Sequence, residues 1–230
     1  MLPDIDFNVI ARSLPYLFQQ GMSFTLTLTA LAALGGLVLG TLLALMRLST
    51  LPLLPSLATG YVNLMRSLPL VLVIFWFYFL VPFVGQLILR ADRPVEVGAF
   101  ASALITFTLF EAAYFSEIMR AGIQSIPRGQ LAAGYAIGLT YPQVMGYIIV
   151  PQAVRNMLPV ILTQTIILFQ DTSLVYVISI TDFLGAASNV AQRDGRLIEM
   201  YVFAALVYFA ISFSASRLVK SLQMRTAIPR

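Results

Sequence analysis

A chain of 230 residues that is 59% hydrophobic and only 10% charged cannot cover itself with polar surface, which excludes a soluble globular domain. Its apolar runs are long and do not alternate, so the class is all-α integral membrane rather than a membrane barrel. With no cysteine or histidine the usual zinc and copper sites and disulfides are excluded, and the net charge of +4 suggests no nucleic-acid patch.

The first residues, MLPDIDFNVIARSLPYLFQQ, are acidic where a cleavable signal is basic, so the first span is expected to be kept. About twenty apolar residues cross a hydrocarbon core of roughly 30 Å. Five segments meet that length: 21–46, 57–80 with PLVLVIFWFYFL at its heart, 97–119, 152–174 and 198–219. Lys220 is the single lysine and follows no glycine-rich loop, so a GxxxxGK[ST] phosphate loop cannot exist here. No GxSxG elbow or histidine-containing catalytic set occurs either. No catalytic residue, metal site or cofactor is therefore expected in this chain.

The stretch RGQLAAGYAIGLTYPQVMGYIIVPQAVR, residues 128–155, is apolar enough to suggest a sixth span. Pro142 and Pro151 argue against it, because each removes a helix hydrogen bond and clashes with the preceding turn. Charge gives a second test. Five spans with the N-terminus outside place nine basic residues inside and five outside, with eight of the ten acids outside. A sixth span leaves six basic residues inside and eight outside, against the positive-inside rule. The segment 120–151 is thus expected to be a cytoplasmic loop, and 221–230 a basic cytoplasmic tail. Within the loop a short helix over 128–139 is predicted, between Pro127 and Thr140-Tyr141-Pro142. Ala132, Ala133, Gly134, Ala136 and Gly138 make it thin enough to lie in a groove, on another protein or on its own subunit.

The spacing resembles the EAA loop of membrane subunits of ATP-binding-cassette importers, EAA-x3-G-x9-I-x-L-P. Ala132-Ala133-Gly134, Gly138, Ile148 and Pro151 occupy its positions, with Ala132 in place of the glutamate, Gly134 of the last alanine and Val150 of the leucine. The EAA at Glu111–Ala113 lacks the following glycine and I-x-L-P and is a decoy. EAAYFSEIMRAGIQSIPRGQ, RSLPLVLVIFWFY, VPQAVRNMLP and FQDTSLVYVISITDF resemble polar amino-acid uptake permeases, and LFQDTSLVYV is similar to the membrane subunit of glutamate/aspartate importers. Glutamine, arginine or histidine importers are the alternative.

The resemblance implies a type I importer permease fold in a bacterial inner (plasma) membrane, with residues 1–20 periplasmic and 21–220 one transmembrane domain. It implies as partners a dimer of ATPases using ATP and Mg, a periplasmic amino-acid-binding protein and a sister permease, as a heterodimer. It assigns ATPase coupling to Arg128, Gly129, Gln130, Ala132, Ala133, Gly134, Gly138, Leu139 and Pro151.

The remaining polar residues of the spans have two readings each. Glu111 either lines a solute pathway or accepts hydrogen bonds from a neighbouring helix. Glu117 and Arg120, three apart, can pair along their helix. Thr163, Gln164, Thr165 and Gln170 form a polar stripe that either glues helices or lines a route for a zwitterion. Asp171, Thr172 and Ser173 suit a helix-end or gating role, as caps for the next helix. Arg66 and Arg155 read as lipid anchors. Residues 174–195 read as an outer helical loop that meets the binding protein. No arginine falls at mid-membrane to hold an acidic side chain, so substrate selection is expected to rest with the binding protein or sister subunit. A stand-alone secondary transporter would predict internal repeats, which are not seen.

Overall fold

The computed structural model describes residues 6–95 and 97–226, with side chains through 224. Asp4, Glu96, Arg225 and Arg230, counted in the charge balance, lie outside the described residues or side chains.

The chain is helical throughout its long elements, and five of its helical stretches are long and apolar enough to cross a membrane: Phe7–Arg47, Leu70–Leu89, Ala99–Gln124, Tyr141–Ile178 and Leu197–Met224. The expected number of spans is found, but their edges move for identifiable reasons. The first begins with α1 (Phe7–Tyr16), where the Asp6 carboxylate accepts from Asn8 N–H at 2.9 Å and starts the helix. A π-helical turn at Leu17–Met22 then joins it to α2 (Ser23–Arg47).

The expected span 57–80 is not one helix. Leu54–Ser67 forms α3 and Leu70–Leu89 forms α4, because Pro69 forces Leu68 into extended backbone and breaks the helix between them. After α5 (Ala99–Gln124), the loop carries α6 (Arg128–Ala136). Contrary to expectation, Pro142 and Pro151 do not cut the following segment into short pieces. Pro142 lies in the first turn of α7 (Tyr141–Val144), where its missing N–H has no intrahelical partner to lose. Pro151 lies in the first turn of α8 (Val150–Asp171), and the widened π turn at Met145–Ile149 leads into it. A 3₁₀ segment, Thr172–Ile178, follows. The predicted outer loop contains α9 (Phe183–Asp194), and α10 (Leu197–Thr226) closes the chain.

Contacts divide the chain into two compact units. One draws on the described residues of Met1–Ala33 with Pro69–Thr108 and Thr165–Leu218. Its core packs Leu17, Met22, Phe169, Phe183 and Met200, and a second cluster joins Leu28, Ile74, Phe107 and Leu168. The other unit draws on Leu34–Leu68, Leu109–Gln164 and the described residues from Val219 on. Its core is Phe115, Met119, Val144, Ile149 and Ile161. Gly36 and Gly40 on α2 let α5 approach closely there, since a Cβ on Gly40 would lie 2.7 Å from Phe115 Cβ.

Candidate functional site

The second unit holds the loop residues singled out by spacing. Pro127, in extended backbone, precedes α6, and its carbonyl accepts from Gln130 N–H at 2.9 Å. The helix ends three residues earlier than predicted. Gly138 has φ +83°, a left-handed conformation that glycine adopts without a Cβ penalty. Its N–H donates to Tyr135 O at 3.0 Å, and Leu139 N–H donates to Gly134 O at 3.1 Å. These two bonds satisfy the carbonyls left open by the helix end. The glycine of the spacing motif is therefore a helix stop.

Gly134 has a different reason. It is buried against the next turn, and a Cβ there would lie 2.6 Å from Val144 Cγ2 and 3.0 Å from Val144 Cγ1. The small residue lets α6 lie directly on Val144. Arg128, Gly129, Gln130, Ala132 and Ala133 remain exposed, and Pro151 is exposed in α8 while Leu139 is half-buried. Tyr135, Ile137, Tyr141 and Tyr147 are exposed large side chains in the same segment, Ile137 by 74%. The outward surface is small-sided, aromatic at its edges and poor in charge, as a groove-binding helix requires.

In the same unit, Glu111 is buried on α5, and Gln164 Nε2 on α8 reaches its two carboxylate oxygens at 3.1 and 3.3 Å. The carboxylate thus accepts from a neighbouring helix. Thr163 is exposed and donates to Pro159 O at 2.8 Å, a bond back to its own helix. Glu117 and Arg120 do pair, at 2.8 Å, but Arg47 and Arg66 join the same carboxylate at 3.0 and 3.1 Å. Residues so distant in sequence offered no local signal for this convergence.

The rest of the polar stripe falls in the first unit. Thr165 is half-buried and Gln170 exposed. The predicted cap at Asp171–Ser173 is not formed by Asp171, whose side chain makes no capping hydrogen bond. Thr172 is buried and donates to Phe169 O at 2.7 Å, while Ser173 is half-buried. The capping carboxylate is Asp182, which accepts from Leu184 N–H at 3.0 Å and Gly185 N–H at 2.8 Å. Tyr208 donates to it at 3.3 Å, and Thr25 Oγ1 accepts from Phe183 N–H at 3.0 Å. Burial pushes the Asp182 carboxyl up to about 6. Sequence reading passed over it, although an Asp directly before Phe-Leu-Gly-Ala-Ala is a helix-start signal.

Five membrane-length helices and an exposed, charge-poor loop helix define a helical membrane protein. Residues 36–228 match the family described as the binding-protein-dependent transport system inner membrane component, and the chain belongs to that family. It is a multi-pass inner-membrane transport component. The chain is 50% identical over 224 residues to the glutamate/aspartate import permease protein GltK of Escherichia coli O6:H1, covering 97% of this chain and 99% of that one. It is 37% identical over 193 residues to the probable glutamine ABC transporter permease protein GlnP of Bacillus subtilis, covering 83% of each. A crystal structure of an amino acid ABC transporter with histidines superposes with a TM-score of 0.80 at 29% identity, over 96% of this chain and 99% of that one.

Proposed function

We propose that the chain is the permease of an ATP-driven importer that passes glutamate and aspartate from a periplasmic binding protein into the cytoplasm. The observation that carries this reading is the 50% identity, over nearly the full length of both chains, to a glutamate/aspartate import permease. The 37% identity to the probable glutamine permease is lower and covers less of the chain, which favours acidic substrates over glutamine.

The N-terminus lies outside and the C-terminus inside, so that Arg47, Arg66, Arg120, Arg128, Arg155, Arg217 and Lys220 face the cytoplasm. The loop 120–151 then meets an ATPase dimer that uses ATP and Mg. α6 docks in a groove on the ATPase through Ala132, Ala133 and the exposed aromatic edge. ATP-driven closure moves this helix and shifts the path between inward- and outward-facing states. A glutamate is missing at Ala132, so docking relies on close packing by small side chains more than on a polar contact.

A sister permease completes the path as a heterodimer. Gln164, Thr165 and Glu111 border the path, while Asp171, Thr172 and Ser173 work near its outer end. Charge selection rests with the binding protein or the sister chain.

The test is uptake of labelled glutamate into vesicles holding this chain, its co-purifying subunits and a binding protein, with and without internal ATP. Unlabelled aspartate, glutamine, arginine and histidine serve as competitors. ATP-dependent uptake blocked by aspartate alone is the expected result. Block by another amino acid would discard the substrate, and uptake indifferent to ATP would discard the coupling.

A further inference from the structure

Glu117 on α5 is met by three guanidinium groups from three helices. Arg47, the last residue of α2, places Nη2 3.0 Å from the carboxylate, and Arg66, in the last turn of α3, donates to it from Nη1 at 3.1 Å. Arg120 donates from Nη2 at 2.8 Å and from Nε at 3.1 Å. Three positive charges against one negative leave an excess of two. Among the described residues no second carboxylate pairs with these arginines, and Arg120 Nη1 turns instead to the neutral Gln124 at 3.0 Å.

The excess is not simply handed to solvent. The Arg47 side chain is only 9% exposed, and its Nε and Nη1 are buried without a hydrogen-bond acceptor. A buried cation with open N–H groups is costly, and an anion with several acceptor oxygens is the group that satisfies it. Arg66 and Arg120 keep 43% and 33% of their side chains exposed, so the cluster can be reached from outside. Arg66 lies 5.6 Å from the centroid of the Tyr114 ring, which holds its guanidinium as a planar donor.

The surroundings favour a lipid as the source of the anion. α3 buries Ala58 and Val62 but exposes Leu57 by 64% and Leu64 by 55% on the helix that ends with Arg66 in its last turn. A helix with exposed leucines along it and an arginine in its last turn suits the boundary between acyl chains and headgroups. Guanidinium forks also match phosphate oxygens in geometry.

We propose that Arg47, Arg66 and Arg120 bind a phosphate group, from the headgroup of an anionic phospholipid or as free inorganic phosphate, with Glu117 positioning the three guanidiniums. Glu117 is a positioning residue. Its geometry creates the site.

The test uses the assembled transporter in detergent, stripped of lipid. Thermal stability and native mass spectra are recorded while phosphatidylglycerol, phosphatidylcholine, inorganic phosphate or glutamate is added. Protection by phosphatidylglycerol over phosphatidylcholine assigns a lipid headgroup, and protection by inorganic phosphate assigns the free ion. Arg66→Gln, at a partly exposed position that tolerates change, should weaken the effective probe by about five- to tenfold. Glu117→Gln exchanges one of the two acceptor oxygens for a donor, which frees part of the cluster, and should also weaken the effective probe. A merely structural ion pair would change the melting temperature and leave the affinity for the probe unaltered. Protection by glutamate alone, or by no probe, would overturn the proposal. So would equal protection of wild type and Arg66→Gln.

Discussion

Asp182 is a carboxylate placed where helix capping and burial pull in opposite directions. Two backbone N–H groups stabilise its ionised form, while removal from water disfavours it more strongly. The unfolded chain releases this proton near the ordinary value of 3.8, and the folded chain near about 6. Between these values the folded state holds the extra proton, so stability should fall as pH rises through this window. Asp182→Asn keeps an acceptor for the cap but does not titrate, and should flatten the slope. Asp182→Ala removes both the cap and the titrating group, so it should cost about 1 kcal/mol at the acid end of this window and progressively less as pH rises through it. Thermal unfolding of the assembled transporter across this window reads both, and an unaltered slope in Asp182→Asn would place the titration elsewhere. Glu111 teaches a related lesson at the same scale. Its burial was readable from its place in an apolar run, whereas its partner Gln164, on another helix, was not.

At the scale of elements, proline is the residue whose effect depended most on place. Pro69 breaks a helix because Leu68 precedes it in extended backbone. Pro142 lies in a first turn, where proline is tolerated, and Pro151 follows directly on the π turn at Met145–Ile149, so the stretch from Tyr141 stays helical. The loop helix shows how closely its elements are fitted. A Cβ on Gly134 would enter the space of Val144, a fully buried and branched side chain. Gly134→Ala should therefore destabilise the loop by about 1–3 kcal/mol, more than the helix gains from losing a glycine. Val144→Ala opens the space, so the double variant should be less destabilised than the sum of the two single ones. A double-mutant cycle measured by thermal unfolding checks this, and strict additivity would mean that the two side chains do not meet.

At the scale of the whole molecule, the exposed apolar surface of α6 matters because the chain is one component of an assembly. Ala133 is exposed, so Ala133→Arg should leave the fold unchanged while placing a bulky charge in the proposed docking surface. ATP-dependent uptake should fall at least about tenfold, the effect of about 1.4 kcal/mol lost at the contact. Uptake and melting temperature are measured on the same preparation. Normal uptake by this variant would remove α6 from the proposed ATPase contact.

The class of the protein and the number of its spans were legible from composition and run length, because a bilayer imposes one simple rule on every residue that crosses it. The motif spacing marked Gly138 as special, and its left-handed backbone supplies the reason. Local sequence did not reveal why Gly134 must be small, which carboxylate caps α9, or that Arg47 and Arg66 meet Glu117. Those facts depend on which helices become neighbours. Apolar side chains of similar size do not encode that choice one by one, and it emerges when close approaches such as Gly40 on Phe115 select a single packing.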